Sequence, residues 1–107
     1  MTQFDKREEA FELQFAHNEE LKFKAIARRN KLLGLWAAEK LGLSGAEADS
    51  YALAVVMSDF ERTGDHDVAK KIRKDFDANG VDQSDHQIAQ HMNEFMAKAI
   101  TDIQAGR

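Results

Sequence analysis

The residues that could do chemistry in this chain are four histidines, a basic run and one acidic loop. His86 and His91 are five positions apart, about 140° around a helix, so they cannot bind one metal ion from the same face. No serine–histidine–aspartate arrangement, carboxylate pair or phosphate-binding glycine loop can be identified, and the chain has no cysteine to act as a nucleophile or a zinc ligand. We therefore expect no metal site and no enzymatic activity.

The acidic loop imitates part of a calcium site. The run D-F-D-A-N-G from Asp75 to Gly80 resembles the opening of an EF-hand loop. The bidentate glutamate expected at position twelve is replaced by His86, and Ser84 with Gln87 forms a capping box that starts a helix inside the supposed loop. A helix that ends just before Gly80 explains the same residues without a metal, so the sequence predicts a turn.

The basic run lies between Lys22 and Lys31 and contains no acidic residue. Within it, Lys24, Arg28 and Lys31 follow i, i+4, i+7 spacing and share one helix face, which we call the basic stripe. Such a stripe could contact phosphates or an acidic protein surface, or it could simply be a solvated helix face. A nucleic-acid partner is not expected, because no aromatic stacking platform lies beside the stripe and the rest of the chain is acidic.

The elements that must position these residues are four helices. Apolar residues recur at i, i+3/i+4 and i+7, and turn signals interrupt this pattern near Gly42, Gly64 and Gly80. The pattern predicts helices over about 18–42, 45–62, 66–79 and 85–104. No run alternates between apolar and polar residues as a strand would. Short connections favour antiparallel neighbours, so the predicted fold is all-α, a small four-helix bundle formed by residues 18–107.

Composition limits the chain to one small domain. It has 107 residues, 15 Lys+Arg against 19 Asp+Glu, a net charge of -4, and neither proline nor cysteine. Apolar stretches are too short to span a bilayer, and the first nine residues lack the apolar core of a signal peptide. We expect a soluble cytoplasmic protein with no direct membrane insertion.

The N-terminal segment does not fit a simple bundle. No convincing cap interrupts the stretch from Phe4 to Leu41, and a single helix of that length would be about 57 Å long, well beyond its neighbours. Roughly the first 17 residues therefore have no partner within the bundle. Phe4, Phe11 and Phe15 nevertheless lie on one face of this segment, which is typical of an amphipathic helix that binds in a groove. The alternatives are that it folds back over the bundle edge or is a frayed tail.

The order of residues in the N-terminal third resembles the ATPase inhibitor subunit zeta family of alphaproteobacteria. The most specific block is A-R-R-N-K-L-L-G-L-W-A-A, from Ala27 to Ala38. The resemblance continues at matching length over nearly the whole chain, in Phe4-Asp5, Arg7-Glu8, Phe15-Ala16-His17, Glu20-Leu21-Lys22-Phe23-Lys24, Val55-Val56, Asp59-Phe60-Glu61 and Gly64-Asp65-His66-Asp67-Val68.

That resemblance implies an inhibitor of ATP hydrolysis by F1, the catalytic head of ATP synthase. The N-terminal segment, residues 1–17, would be flexible when free, insert at a catalytic subunit interface and block rotation. The residues implied as partner contacts are Phe4, Arg7, Glu8, Phe11 and Phe15. The protein would be a monomer when free and would associate peripherally with the membrane-bound enzyme.

The resemblance also makes adenine nucleotide a candidate ligand, although no cofactor is required. The basic stripe of Lys24, Arg28 and Lys31 is the candidate contact. The alternative function is therefore a regulatory helical bundle that binds a small molecule or an adenine nucleotide.

Overall fold

The computed structural model describes residues 18–61 and 65–106, without the side chains of residues 59–61 and 65–66. Over these residues the chain forms four helices and no strand: α1 (Glu19–Lys40), α2 (Gly45–Glu61), α3 (Asp65–Ala78) and α4 (Asp85–Gln104). Helix α1 packs against both α2 and α4, and α3 packs against the same two helices from the other side. The predicted all-α four-helix bundle is confirmed, with helix boundaries within two residues of those predicted.

Helix α1 starts with a side-chain cap at Asn18. Asn18 has extended backbone geometry, and its side-chain oxygen accepts a hydrogen bond from the backbone N–H of Leu21 at 3.1 Å. Glu19 and Glu20 follow in the first turn, where their negative charges interact favourably with the positive end of the helix dipole. The prediction that no cap interrupts the stretch from Phe4 to Leu41 was wrong, because Asn18 caps α1. The asparagine followed by two glutamates was the local signal for it.

The core is built from one apolar stripe on each helix. Val68, Ile72 and Phe76 of α3 are completely buried, as their spacing predicted. They meet a cluster from the other three helices that contains Leu33, Ala37, Val55, Ile88 and Met92. Burying side chains of this size stabilises a fold by about 1.5–3 kcal/mol each, so this cluster is the main source of cohesion.

Helices α1 and α2 approach each other closely at Gly34. Gly34 lies so near Ala52 that a Cβ atom on the glycine would be 2.7 Å from the Cα of Ala52 and 3.2 Å from the Cβ of Val55. Glycine costs helix stability, so its place in the middle of α1 is explained by this contact. Any larger residue would push the two backbones apart.

The acidic loop is a helix end and turn, as predicted. Helix α3 ends at Ala78, Gly80 has a positive φ of 67°, and the Ser84–Gln87 capping box starts α4. Asp75 accepts hydrogen bonds from Tyr51 at 2.6 Å and Lys71 at 3.1 Å. The carboxylate that would open a calcium loop instead joins α2 to α3.

Trp36 lies at the edge of the core rather than inside it. Its indole is half-buried, meets Phe76 edge-to-face at 5.6 Å and stacks on His91 at 4.1 Å between ring centroids. The His91 ring is fixed in turn by a 2.8 Å hydrogen bond between Nδ1 and the backbone carbonyl of Gln87. This stack joins the C-terminal half of α1 to the N-terminal half of α4, so these two helices run antiparallel.

A valine at position 34 should destabilise the bundle. Gly34→Val would force α1 away from α2, and overpacking of this kind typically costs about 1–3 kcal/mol. We expect the melting temperature to fall by at least several degrees in thermal denaturation followed by circular dichroism. Ala54→Val, at an exposed position on α2, introduces the same β-branched residue without the clash and should have little effect. Equal melting temperatures for the two variants would contradict the close crossing.

Tyr51 should resist ionisation in the folded protein. Burial raises the pKa of this phenol, and the hydrogen bond to Asp75 and its negative charge raise it further. Because the folded pKa exceeds the unfolded value of about 10, the stability from neutral Tyr51 is present below that pH and is lost above it. The chain has one tyrosine, so ultraviolet absorbance of the phenolate follows this group alone.

The expected result is that phenolate appears only together with unfolding, and that the melting temperature falls more steeply above pH 10 than it does in Tyr51→Phe. A phenol that titrates at its ordinary value in the folded chain would show that the Tyr51–Asp75 contact does not persist in solution.

Candidate functional site

The sequence named two sets of site residues, and the described structure contains one of them. The predicted partner contacts Phe4, Arg7, Glu8, Phe11 and Phe15 lie outside the described residues. The basic stripe of α1 lies within them, and its three members have different surroundings.

The three cations do not form one continuous charged surface. Lys24 is exposed and pairs with Glu20 one turn earlier on α1 at 3.3 Å. Arg28 is half-buried and points toward α4. Lys31 is exposed and forms no ion pair within 4 Å among the described residues. Only Arg28 and Lys31 line a common groove.

Arg28 has a structural role that spacing could not show. Its Nε donates a 2.8 Å hydrogen bond to Asp102 Oδ2 on α4, whose side chain is only 3% exposed. Lys98 approaches the other carboxylate oxygen of Asp102 at 3.7 Å. A buried carboxylate needs such partners, because removing a charge from water without compensation is costly. Part of the positive charge of Arg28 is therefore used to join α1 to α4.

A second polar cluster is buried on α1. Arg29 is 2% exposed, and its Nε and Nη2 donate to Asn30 Oδ1 at 3.0 and 2.8 Å. Arg29 belongs to the basic run, yet it lies on the face that also carries Ala25, Leu33 and Ala37, each four residues from the next. That spacing was the available signal. The Nδ2 of Asn30 is buried and has no hydrogen-bond partner within the part of the chain that the structure describes.

An open groove of about 590 Å³ lies between α1 and α2. Its floor is apolar, and its two rims carry opposite charge. Arg28 and Lys31 stand on the α1 side, and Asp49 stands on the α2 side. The remaining lining residues are Ala27, Ala52, Leu53 and Val56. A groove with an apolar floor and charged rims can accept an aromatic ring together with an ionic group.

The outer face of α2 continues this apolar surface. Leu53 is 61% exposed and Met57, one turn later, is 47% exposed. Large apolar side chains at helical spacing on a surface are typical of an interaction site. The described residues contain no group of three or more histidine, aspartate or glutamate side chains arranged to hold a metal ion. The exposed Leu53 and Met57 favour recognition of a partner or ligand by this surface.

Within residues 18–61 and 65–106, every helix is too short or too polar to cross a membrane.

Comparison with known proteins agrees with this architecture. Three chains of solved structures match. One of them, determined by solution NMR, is 41% identical and has a TM-score of 0.71, and the alignment covers 81% of this chain and 99% of that chain. Among curated proteins the comparison finds no relative. The family model described as ATPase inhibitor subunit zeta matches residues 1–102, and the chain therefore belongs to the ATPase inhibitor subunit zeta family.

Proposed function

We propose that this protein inhibits ATP hydrolysis by F1, using residues 1–17 as the inhibitory segment and the four-helix bundle as its anchor. The observation that carries the proposal is the extent of the family match, which begins at residue 1 and so includes the aromatic segment as well as the bundle. The Asn18 cap supports the same division, because it starts α1 where the segment ends. The protein acts as a regulator rather than as an enzyme.

The proposed mechanism couples folding to binding. The segment becomes helical in a groove at a catalytic subunit interface of F1 and buries Phe4, Phe11 and Phe15 there. Arg7 and Glu8 form polar contacts at the rim. Ordering such a segment costs about 2–5 kcal/mol, which burial of three phenylalanines at about 1.5–3 kcal/mol each can exceed.

The bundle then acts as a rigid stop outside that groove. Its core and the Arg28–Asp102 and Tyr51–Asp75 contacts hold the four helices together while the rotor of F1 pushes against the inserted segment. The free protein is a monomer in this proposal. In the cell it is cytoplasmic and associates peripherally with membrane-bound ATP synthase through F1.

A second candidate function is binding of an adenine nucleotide, which the α1–α2 groove favours. Its volume of about 590 Å³ is within the range of small-ligand sites. The apolar floor could contact the base, and Lys31 is placed to contact a phosphate. Arg28 would contribute less than the sequence suggested, because its Nε is already bonded to Asp102. Lys24 does not line the groove.

Replacing Phe11 and Phe15 together by alanine should weaken inhibition of F1 without unfolding the bundle. Loss of two buried rings, each contributing about 1.5–3 kcal/mol, lowers affinity by a factor on the order of a hundred or more. The measurement is ATP hydrolysis by a cognate F1 at increasing concentrations of each variant.

Two controls separate segment from anchor. Phe76→Ala removes a ring from the buried core and should lower the melting temperature strongly, because such changes cost about 3–5 kcal/mol. Removal of residues 1–17 should abolish inhibition while leaving the bundle folded. A Phe11→Ala/Phe15→Ala variant that unfolds, or that inhibits as well as the parent, would show that the division into segment and anchor is wrong.

Nucleotide binding is best tested at Lys31, because replacing Arg28 would also disturb the buried Asp102. We expect ATP to shift the amide signals of the groove residues, and Lys31→Glu to remove most of that shift. Lys22→Glu is the matched control, since Lys22 is exposed on α1 and does not line the groove. Equal losses in the two variants, or shifts that moderate salt removes, would indicate diffuse charge attraction instead of a site.

A further inference from the structure

We infer that, in the free chain, the segment of residues 1–17 docks in the groove between α1 and α2, and that F1 must displace it. The inference deepens the proposed function and rests on it for the role of the segment. It concerns a contact within the chain that would lower the fraction of molecules ready to inhibit.

The α2 side of the groove carries apolar residues on the outer face of the helix as well as on the face toward the core. Ala52 and Val55 face the core, while Leu53 and Met57 are exposed on the outer side and Val56 is half-buried between them. Large apolar side chains one turn apart on the solvent side of a helix are typical of a surface that contacts another segment or a partner. Among the described residues, no helix lies over Leu53, so this face is open to a further segment of the chain or to a partner.

The segment is long enough to reach the groove, and it joins α1 at the helix N-terminus, which is the end nearer the groove. The groove residues Ala27 and Lys31 lie 8 and 12 positions after Glu19, which places them about 12 and 18 Å along the helix. The 17 residues before Asn18 would span about 25 Å as a helix and more if extended. A segment that turns back at Asn18 therefore covers the full length of the groove.

The chemistry of the segment matches that of the groove. Phe4, Phe11 and Phe15 supply rings for the apolar floor. The segment carries four acidic residues, Asp5, Glu8, Glu9 and Glu12, against the two bases Lys6 and Arg7. The acids would meet Lys31, the exposed cation of the α1 rim, and the bases would meet Asp49 on the α2 rim.

The size of the groove favours a tethered occupant over a separate chain. Seven residues line it, whereas a stable interface between two proteins uses about 20–30 residues on each side. A segment joined to α1 needs much less contact, because a short tether gives it an effective concentration in the millimolar range. We therefore assign the groove to residues 1–17 and not to a second copy of the chain.

Docking of the segment would lower the apparent affinity for F1, because only molecules with an undocked segment could bind. If the docked state holds between half and nine-tenths of the molecules, its loss would strengthen inhibition by about twofold to tenfold. The bundle would then act as both the anchor of the segment and its competitor for F1.

The direct test uses the full-length chain without F1 or nucleotide. Because the chain has no cysteine, a single introduced one carries a unique paramagnetic label. Ser50→Cys places the label on exposed α2 beside the groove, and Thr101→Cys places it on exposed α4, near the Arg28–Asp102 contact and thus at a similar level of α1. We expect the Ser50 label, and much less the Thr101 label, to broaden the amide signals of Phe11 and Phe15.

Equal broadening from the two labels would indicate a tail that samples the surface without preference, and no broadening from either would indicate that the segment stays away from the bundle. Both results overturn the inference. Broadening from the Ser50 label that disappears on dilution would assign the groove to a second copy of the chain and would also overturn it.

The functional test compares two charge substitutions in the full chain. Leu53→Glu removes an exposed groove side chain and repels the acidic segment, so inhibition of F1 should become twofold to tenfold stronger. Ala54→Glu adds the same charge at the next exposed position, outside the groove lining, and should leave inhibition unchanged. Weaker inhibition by Leu53→Glu would instead identify this face as a contact with F1 and overturn the inference.

These experiments separate the inference from the function on which it rests. If no variant inhibits F1 but the two labels still differ, the proposed function fails and the docking of the segment stands.

Discussion

The contact of Gly34 with Ala52 determines how the rest of the molecule can be arranged. It lets the α1 and α2 backbones approach more closely than any residue with a Cβ atom at position 34 would allow, and so fixes where α2 lies along α1. Toward the C-terminus of α1 the core is closed by Ala37 and the Trp36–His91 stack. Toward its N-terminus, one to two turns before Gly34, the helices leave the groove at Ala27 and Lys31. The same crossing therefore accounts for both the tight core and the open surface beside it.

Charged contacts give the three cations of the basic stripe on α1 different surroundings, which apolar packing alone would not do. Asp102 is buried and needs cations, so it draws Arg28 inward and Lys98 close. Lys31 remains outside as the exposed charge of the groove. The basic stripe, which appears uniform in sequence, thus contains a structural cation, Arg28, a surface ion pair, Lys24 with Glu20, and an exposed cation, Lys31.

Much of the fold could be predicted from sequence, because its information is local. The Val68–Ile72–Phe76 stripe and the Ser84–Gln87 capping box involve residues three or four apart, and the structure has both as predicted. The Asn18 cap was also local but was overlooked. The Arg28–Asp102 pair could not be predicted, since it joins residues 74 positions apart through the packing of α1 on α4. The groove depends on the angle and separation of two helices, which spacing in one helix does not specify, and the segment contacts stay predictions.

The order in which the helices neighbour one another has a consequence for how the chain folds. Of the four main contacts between the described helices, three join consecutive helices across the short connections 41–44, 62–64 and 79–84, and the α1–α4 contact spans most of the chain. Such local topology favours rapid folding, on the microsecond to millisecond scale typical of helical bundles, and the chain has no proline whose isomerisation could add a slow phase. A bundle that opens transiently would therefore recover its structure quickly.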